Sequence, residues 1–342
     1  MAKVLLGMSG GIDSTVAAHL LMQEGYEVVG VTFIMHDSQI ELAGSARRAA
    51  DELGIRHEVI DMRSTFKEKV ITPFVNAYAA GQTPNPCVLC NQHIKFPEMV
   101  AYADKNGIEF IATGHYASIR KKENGEYRIC AASDTAKDQT YFLYTLSNDI
   151  LARLIFPLSE LTKEQVRLIA EEQGFSCASV KESQDVCFIE KGELSSFLRQ
   201  SLDYEIPCGN FIDGNGNILG SHSGITDYTV GQRKGLGVAF TEPLYVKSID
   251  AATNNIVLCT GENLFEKEIF VDRCSFPSGN APTQSFRADV RIRYTKTIAP
   301  ALLSPCDGGL KIVFDAPQRA PARGQSAVFF DGDELLGGGI IQ

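Results

Sequence analysis

Ser9, Gly10, Gly11, Ile12, Asp13 and Ser14 follow a short apolar run, Val4 to Leu6, and precede small and apolar residues that suit a helix. Adjacent glycines let the backbone turn where a Cβ would clash, and they let a ligand approach the main chain. With the hydroxyls of Ser9, Ser14 and Thr15 and the amides of a helix start, the loop offers a site suited to phosphate. A carboxylate at Asp13 beside phosphates requires a cation between them, and Mg2+ is expected. No Gly-Lys-Ser/Thr follows and no G-x-G-x-x-G is present, so this is neither a P-loop nor a dinucleotide fingerprint. Cys87 and Cys90 form a close pair of the kind used for metal or redox work. His115 stands at the end of an apolar run, and Cys187, flanked by apolar residues, reads by itself as a core cysteine.

These residues need elements to position them. Strands are expected at the apolar run before the loop, at Glu27 to Phe33, His57 to Asp61 and Glu109 to Thr113, with helices at Leu42 to Leu53, Phe66 to Tyr78 and Ile94 to Ala103. Alternation of this kind implies a parallel sheet, with ligands beyond the carboxyl ends of its strands, so Phe33 is placed to meet a nucleotide base. The prolines of Gly81 to Pro86 are expected to hold an extended loop that presents Cys87 and Cys90. Asn124-Gly125 marks a hairpin, and Asp138 to Leu146 and Thr162 to Gln173 read as helices. After about residue 190, short strands separated by Asn, Asp and Gly turns point to β domains. The division expected is 1–190 for an α/β domain carrying the loop and the cysteines, 191–262 for a small, mostly β, linker domain, and 263–342 for a C-terminal β-barrel.

The 342 residues allow two or three domains with substantial cores. The composition is globular and no stretch is long and apolar enough to span a bilayer, so no membrane partner is expected. The N-terminus enters the first strand directly, which implies a cytoplasmic location and reduced thiols for most of the nine cysteines. A net charge of −10 argues against RNA binding by bulk electrostatics, so a basic face must be local. Arg287, Arg291, Arg293 and Lys296 offer one, since Arg291 and Arg293 would face the same way on a strand.

The string SGGIDS resembles the pyrophosphate loop of the ATP pyrophosphatase superfamily, whose members cut ATP between the α and β phosphates. Gly7 to Ser14, Thr83 to Asn91 (TPNPCVLCN), Ala112 to Tyr116 (ATGHY), Lys137 to Leu146 (KDQTYFLYTL), Val186 to Ile189 (VCFI), Thr229 to Gly237 (TVGQRKGLG) and Pro321 to Ile341 together resemble the tRNA-specific 2-thiouridylases. In order and spacing these strings cover nearly the whole chain. The resemblance implies an adenine nucleotide hydrolase-like N-terminal fold and a reaction in which the wobble uridine of tRNAs for Glu, Gln and Lys is flipped into the site. Its 2-oxygen attacks ATP, a persulfide sulfur attacks carbon 2, and AMP leaves.

Carried over by residue, Gly7, Met8, Ser9, Gly10, Gly11, Ile12, Asp13 and Ser14 would hold ATP, with Phe33 and Gly114 completing the pocket. Cys187 would carry the persulfide and Cys90 would resolve it, closing a disulfide on turnover. Asn85, Pro86 and Cys87 match the segment that touches the target base. His115, Lys137, Asp138, Gln139, Arg293, Tyr294 and Gln325 match tRNA contacts. A sulfur donor protein is implied as partner, either a cysteine desulfurase or a persulfide relay protein. Familiar relatives carry Asp where this chain has Cys87, the position assigned acid/base work. Cys87, Cys90 and Cys187 could instead hold a four-iron four-sulfur cluster with one open iron. Two rival readings are an adenylating ligase or amidotransferase for a small molecule, and a non-catalytic ATP-sensing RNA-binding module.

Overall fold

The computed structural model describes residues 1–179, 186–295 and 297–342. Its first sheet is parallel, in the order β3-β2-β1-β4-β7, with β1 at Lys3–Gly7, β2 at Glu27–Ile34, β3 at Arg56–Asp61, β4 at Phe110–Thr113 and β7 at Leu154–Ile155. Val4, Leu5 and Leu6 are fully buried because helices cover both faces of β1. Helices α1 (Ile12–Gln23), α2 (Ile40–Leu53) and α8 (Lys163–Glu172) lie over one face, where Val4, Leu6, Val16, Ala46 and Val166 share a core. Over the other face, α3 (Arg63–Phe66) and α4 (Thr72–Ala79) are joined by a π-helical turn. Then come α5 (Pro86–Cys90), a second π-helical turn, Asn91–Lys95, and α6 (Phe96–Lys105).

Two expectations fail here. The Thr-Pro-Asn-Pro segment does not hold an extended loop through the cysteines, because Pro86 occupies the first turn of α5, where its missing N–H costs nothing. Asn85 caps that helix by accepting from the Cys87 N–H at 3.1 Å. Asp138 to Leu146 is not a helix either, and only Thr140–Phe142 makes a 3-10 turn. The Asp138 carboxylate takes the Thr140 N–H, and the Tyr141 and Tyr144 hydroxyls reach Ser326 on another domain, so side-chain bonds replace the helical ladder.

The second sheet, β10-β11-β8-β9, uses β8 (Gly209–Ile212), β9 (Ile218–His222), β10 (Leu244–Asp250) and β11 (Asn255–Thr260), preceded by helix α9 (Leu194–Ser201). The third is built from β12 (Phe265–Ser275), β13 (Phe286–Arg291), β14 (Ala299–Cys306), β15 (Gly309–Arg319), β16 (Ser326–Asp331) and β17 (Glu334–Ile341). It closes into a barrel through the β12–β17 pairing around Val271, Ala301, Ile312 and Phe329. The hairpin β5 (Ser118–Lys121) and β6 (Tyr127–Cys130) leaves the first domain and joins this sheet at Cys130 and Glu334. Lys122 and Arg128 both pair with Glu334, which ties the barrel to the first domain beside its β-strand junction.

Candidate active site

The turn between β1 and α1 is tight. Gly10 has φ of +73°, and a Cβ there would lie 2.5 Å from the backbone nitrogen of Ala46 on α2, so only glycine fits. Ser14 Oγ donates to the Gly11 carbonyl at 3.0 Å and accepts from the Ser9 N–H at 3.2 Å, which holds the loop closed over its own hydroxyls. The first-turn amides of α1 have no intrahelical acceptor and carry the positive end of the helix dipole. Gly114, just past β4, lies so close to this turn that a Cβ would meet the Asp13 and Ser14 backbone at 3.1 to 3.2 Å.

The Asp13 carboxylate faces a protein cation. Lys163 Nζ lies 2.7 and 2.6 Å from its two oxygens, and Tyr116 Oη donates to it at 2.8 Å. Sequence reasoning missed Lys163, whose only local sign is a helix start: Thr162 and Gln165 form a capping box that fixes the first turn of α8. The premise that Asp13 must face phosphate through a metal ion therefore changes, because an ammonium already neutralises it. Asp13 still lines the cavity, so a cation carried by the phosphates can also reach it.

That cavity, of about 430 Å³, opens at the carboxyl ends of β1, β2 and β4. Gly7, Met8, Ser9, Asp13 and Ser14 line one side, together with Phe33 and Gly114. Cys87 and Cys90 line it from α5, one helical turn apart on one face, and Cys187 lines it from a separate segment. Cys187 is therefore not the plain core cysteine its neighbours suggest. Cys87 and Cys187 are open to the cavity yet have protein on most sides, while Cys90 is buried with its Sγ 3.5 Å from Met35 Sδ. Burial pushes all three thiols up, Cys187 to about 12, and the Lys95 charge pulls each of them down. Among the described residues, no group of three or more His, Cys, Asp or Glu side chains is set to hold a metal ion. The thiols as they stand are thus not arranged as the ligands of a single ion.

Asn91, next to Cys90, also lines the cavity; its Nδ2 donates to the Phe142 carbonyl at 3.0 Å, leaving Oδ1 buried without a partner. His115 lies on the cavity wall, not on an outer surface. Its Nδ1 is 2.8 Å from Thr113 Oγ1, its ring stacks on Phe96, and burial holds its pKa well below 6.5, so the imidazole is neutral.

Other residues matched to tRNA contacts take mixed positions. Gln139 reaches the cavity and accepts from the Tyr116 N–H at 2.9 Å, and Lys137 lies on the preceding turn, its N–H bonded to Asp134. Tyr294 is half exposed and packs on Phe142, with ring centroids 4.4 Å apart; Phe142, not Tyr294, lines the cavity. Gln325 Nε2 donates to the Thr83 carbonyl at 2.7 Å, so it ties the barrel to the segment that leads into α5.

Asp138 is buried and bonded to Thr140 Oγ1 at 2.9 Å and to Arg291. The basic stripe also dissolves. Arg287 pairs with Asp315, Arg291 with Asp138 while lying over the Phe330 ring, and Arg293 donates to the Ala320 and Val230 carbonyls beyond the end of β13. Arg287 and Arg291 are thus each paired with a carboxylate, the first pair on the surface and the second buried, while Arg293 keeps its charge and is held by backbone carbonyls. Lys296 lies outside the described residues.

Residues 2–191 match the family described as the tRNA methyl transferase HUP domain, 195–260 the tRNA methyl transferase PRC-barrel domain, and 266–341 the aminomethyltransferase beta-barrel domain. The chain is similar to a tRNA-specific 2-thiouridylase MnmA from Clostridium botulinum, 41% identical across 99% of this chain and 98% of that protein. Another tRNA-specific 2-thiouridylase MnmA, from Carboxydothermus hydrogenoformans, is 43% identical over 99% of this chain and 97% of its own length. A solved complex described as a 4-thiouridine synthetase with RNA and bound ATP aligns at 20% identity with a TM-score of 0.38, over 54% of this chain and 44% of the other.

Proposed function

The chain belongs to the tRNA-specific 2-thiouridylase family, and we propose that it replaces the 2-oxygen of the wobble uridine in tRNAs for Glu, Gln and Lys with sulfur, using ATP. One observation carries the reading. A phosphate-binding turn and three cysteines, drawn from residues 7–14, 87–90 and 187, line a single cavity. The family descriptions name methyl transfer and the relatives name thiolation; a phosphate loop facing thiols is the equipment for activating an oxygen and replacing it with sulfur.

An oxygen on an aromatic ring carbon is a poor leaving group. The uridine 2-oxygen attacks the α phosphorus, pyrophosphate departs, and the oxygen becomes part of a good leaving group. The α1 amides at Gly11 to Ser14 hold the phosphates, and Phe33 and Gly114 close the nucleotide side of the pocket. Mg2+ brought with the nucleotide would be held by the phosphates and by Asp13, and it would neutralise phosphate charge.

The terminal sulfur of a persulfide on Cys187 then attacks carbon 2, and AMP leaves with the carbon–oxygen bonding pair. Cys90 attacks the Cys187 sulfur, forming a disulfide and releasing the 2-thiouridine sulfur with the former sulfur–sulfur pair. Asn85 and Pro86, which cap and start α5, set where Cys87 and Cys90 stand against the base. Cys87 replaces a carboxylate there; its raised pKa keeps it protonated at neutral pH, which suits a proton donor better than a base. Gln139, His115 and Tyr294 would meet the flipped nucleotide, with Lys137 and Gln325 nearer the body of the tRNA. Asp138 and Arg293 would act through the bonds they already make. The division at 1–190, 191–262 and 263–342 assigns activation and sulfur transfer to the first unit and tRNA grip to the other two.

The test incubates the protein with ATP, unmodified tRNA and a persulfide donor, a cysteine desulfurase or relay protein, and analyses nucleosides by mass spectrometry. 2-Thiouridine should appear with wild type and be absent with Cys90→Ser or Cys187→Ser, both of which still bind ATP. Thiolation by the wild-type protein from free sulfide alone, with stoichiometric protein-bound iron and no persulfide donor, would replace the persulfide route with cluster chemistry. Adenylation of a small molecule and no modified base would overturn the assignment.

A further inference from the structure

Lys95 ends the π-helical turn that follows Cys90, five residues on, and π-helical bonding spans that interval. Among the described residues lining the cavity it is the one lysine or arginine, and no carboxylate among the described residues forms an ion pair with it. It is partly buried. A partly buried ammonium without a counter-ion is costly, and such a charge is retained where an anion will come to it.

We propose that Lys95 is the counter-cation of the sulfur site: its ammonium, facing the cavity shared by Cys87, Cys90 and Cys187, is the charge against which sulfur is held as an anion before it attacks. The proposal deepens the thiolase reading and rests on it for its purpose. Groups facing the thiols from the surrounding elements are few. Asn91 on the same turn is neutral, His115 beyond β4 is held neutral by burial, and Asp13 on the phosphate turn is neutralised by Lys163. Glu182 and Asp185 lie outside the described residues. Burial opposes ionisation of all three thiols, and the Lys95 charge is the main force opposing that burial. Lys95 is thus a positioning residue that acts through sulfur, the proton leaving to solvent.

The experiment follows alkylation of Cys87 and Cys187 by iodoacetamide between pH 6 and 10, read by peptide mass spectrometry on the full chain without ATP or tRNA. Lys95→Met should move the profile to higher pH and slow alkylation at pH 7.5 about tenfold, since a neighbouring opposite charge shifts a pKa by one unit or more. Lys95→Arg should restore the wild-type profile, which a purely structural role would not explain. Lys95→Gln replaces the methionine variant if that variant does not fold. Superimposed profiles for wild type and a folded neutral variant would overturn the proposal. Because no nucleotide is present, a shifted profile without tRNA thiolation would leave the charge assignment standing and remove the thiolase reading.

Discussion

Replacing Lys163 with methionine strands the Asp13 carboxylate beside the phosphate turn. The pair is close and two-pronged, with Lys163 side-chain exposure of 7% and Asp13 exposure of 26%. Removing one partner of a buried pair costs about 3–5 kcal/mol. The residual exposure of Asp13 and its bond from Tyr116 Oη reduce that to ~2–3 kcal/mol here. An unmasked charge about 6 Å from a bound phosphate adds repulsion of about 2–3 kcal/mol at an effective dielectric of about 20, or roughly 30- to 150-fold in ATP affinity. Nearly all the helix lies in the first domain, so circular dichroism at 222 nm through a urea titration reads the stability change, and calorimetry reads ATP binding. Lys163→Met should lose both, while Lys163→Met with Asp13→Asn should recover most of the stability, because no buried charge remains unpaired. A single variant with wild-type midpoint and ATP affinity, or a double variant no better than the single, would refute the reasoning.

His115 is neutral in the fold and titrates near 6.5 when unfolded, so the unfolded chain binds more protons below that pH. Stability should therefore be complete above pH 6.5 and fall on acidification by up to about 1.4 kcal/mol per pH unit, a slope that His115→Gln should flatten in urea titrations at pH 5 and 7.5. Gly114→Ala places a methyl 3.1 to 3.2 Å from the Asp13 and Ser14 backbone and should cost ~1–3 kcal/mol in ATP binding or stability, whereas an unchanged ATP affinity and midpoint would mean that the turn yields freely. Gln325→Ala removes the bond to Thr83 and should speed amide exchange across 83–87, costing about 1 kcal/mol, with no change at the phosphate turn.

The parallel sheet, its helices and the later β units were legible because their signals are local: apolar runs, glycine turns and short spacings. The tight turn between β1 and α1 was legible for the same reason, since Ser9 to Ser14 carries both its glycines and its hydroxyls. What failed was long-range or context-dependent. Pro86 breaks a helix interior but starts one when Asn85 stands before it, and the two prolines hid that start signal. Lys163 is 150 residues from Asp13, and only the stacking of α8 against α1 brings them together. The arginines of 287–293 alternate as a binding stripe would, but Asp138, Asp315 and two backbone carbonyls answer them from elements far along the chain. Lys95 shows no motif at all, because its relation to the cysteines depends on a π-helical turn that spacing rules for an α-helix do not anticipate.

The shared cavity of phosphate turn and thiols is tested most directly by one turnover without reductant. Protein carrying a persulfide on Cys187 is mixed with ATP and unmodified tRNA, quenched in acid, and mapped for disulfides alongside nucleoside analysis. The account predicts one 2-thiouridine for each Cys90–Cys187 disulfide formed, and neither product when ATP is withheld. Thiouridine formed while both cysteines stay reduced, or a disulfide that accumulates without ATP and without thiolated base, would contradict it.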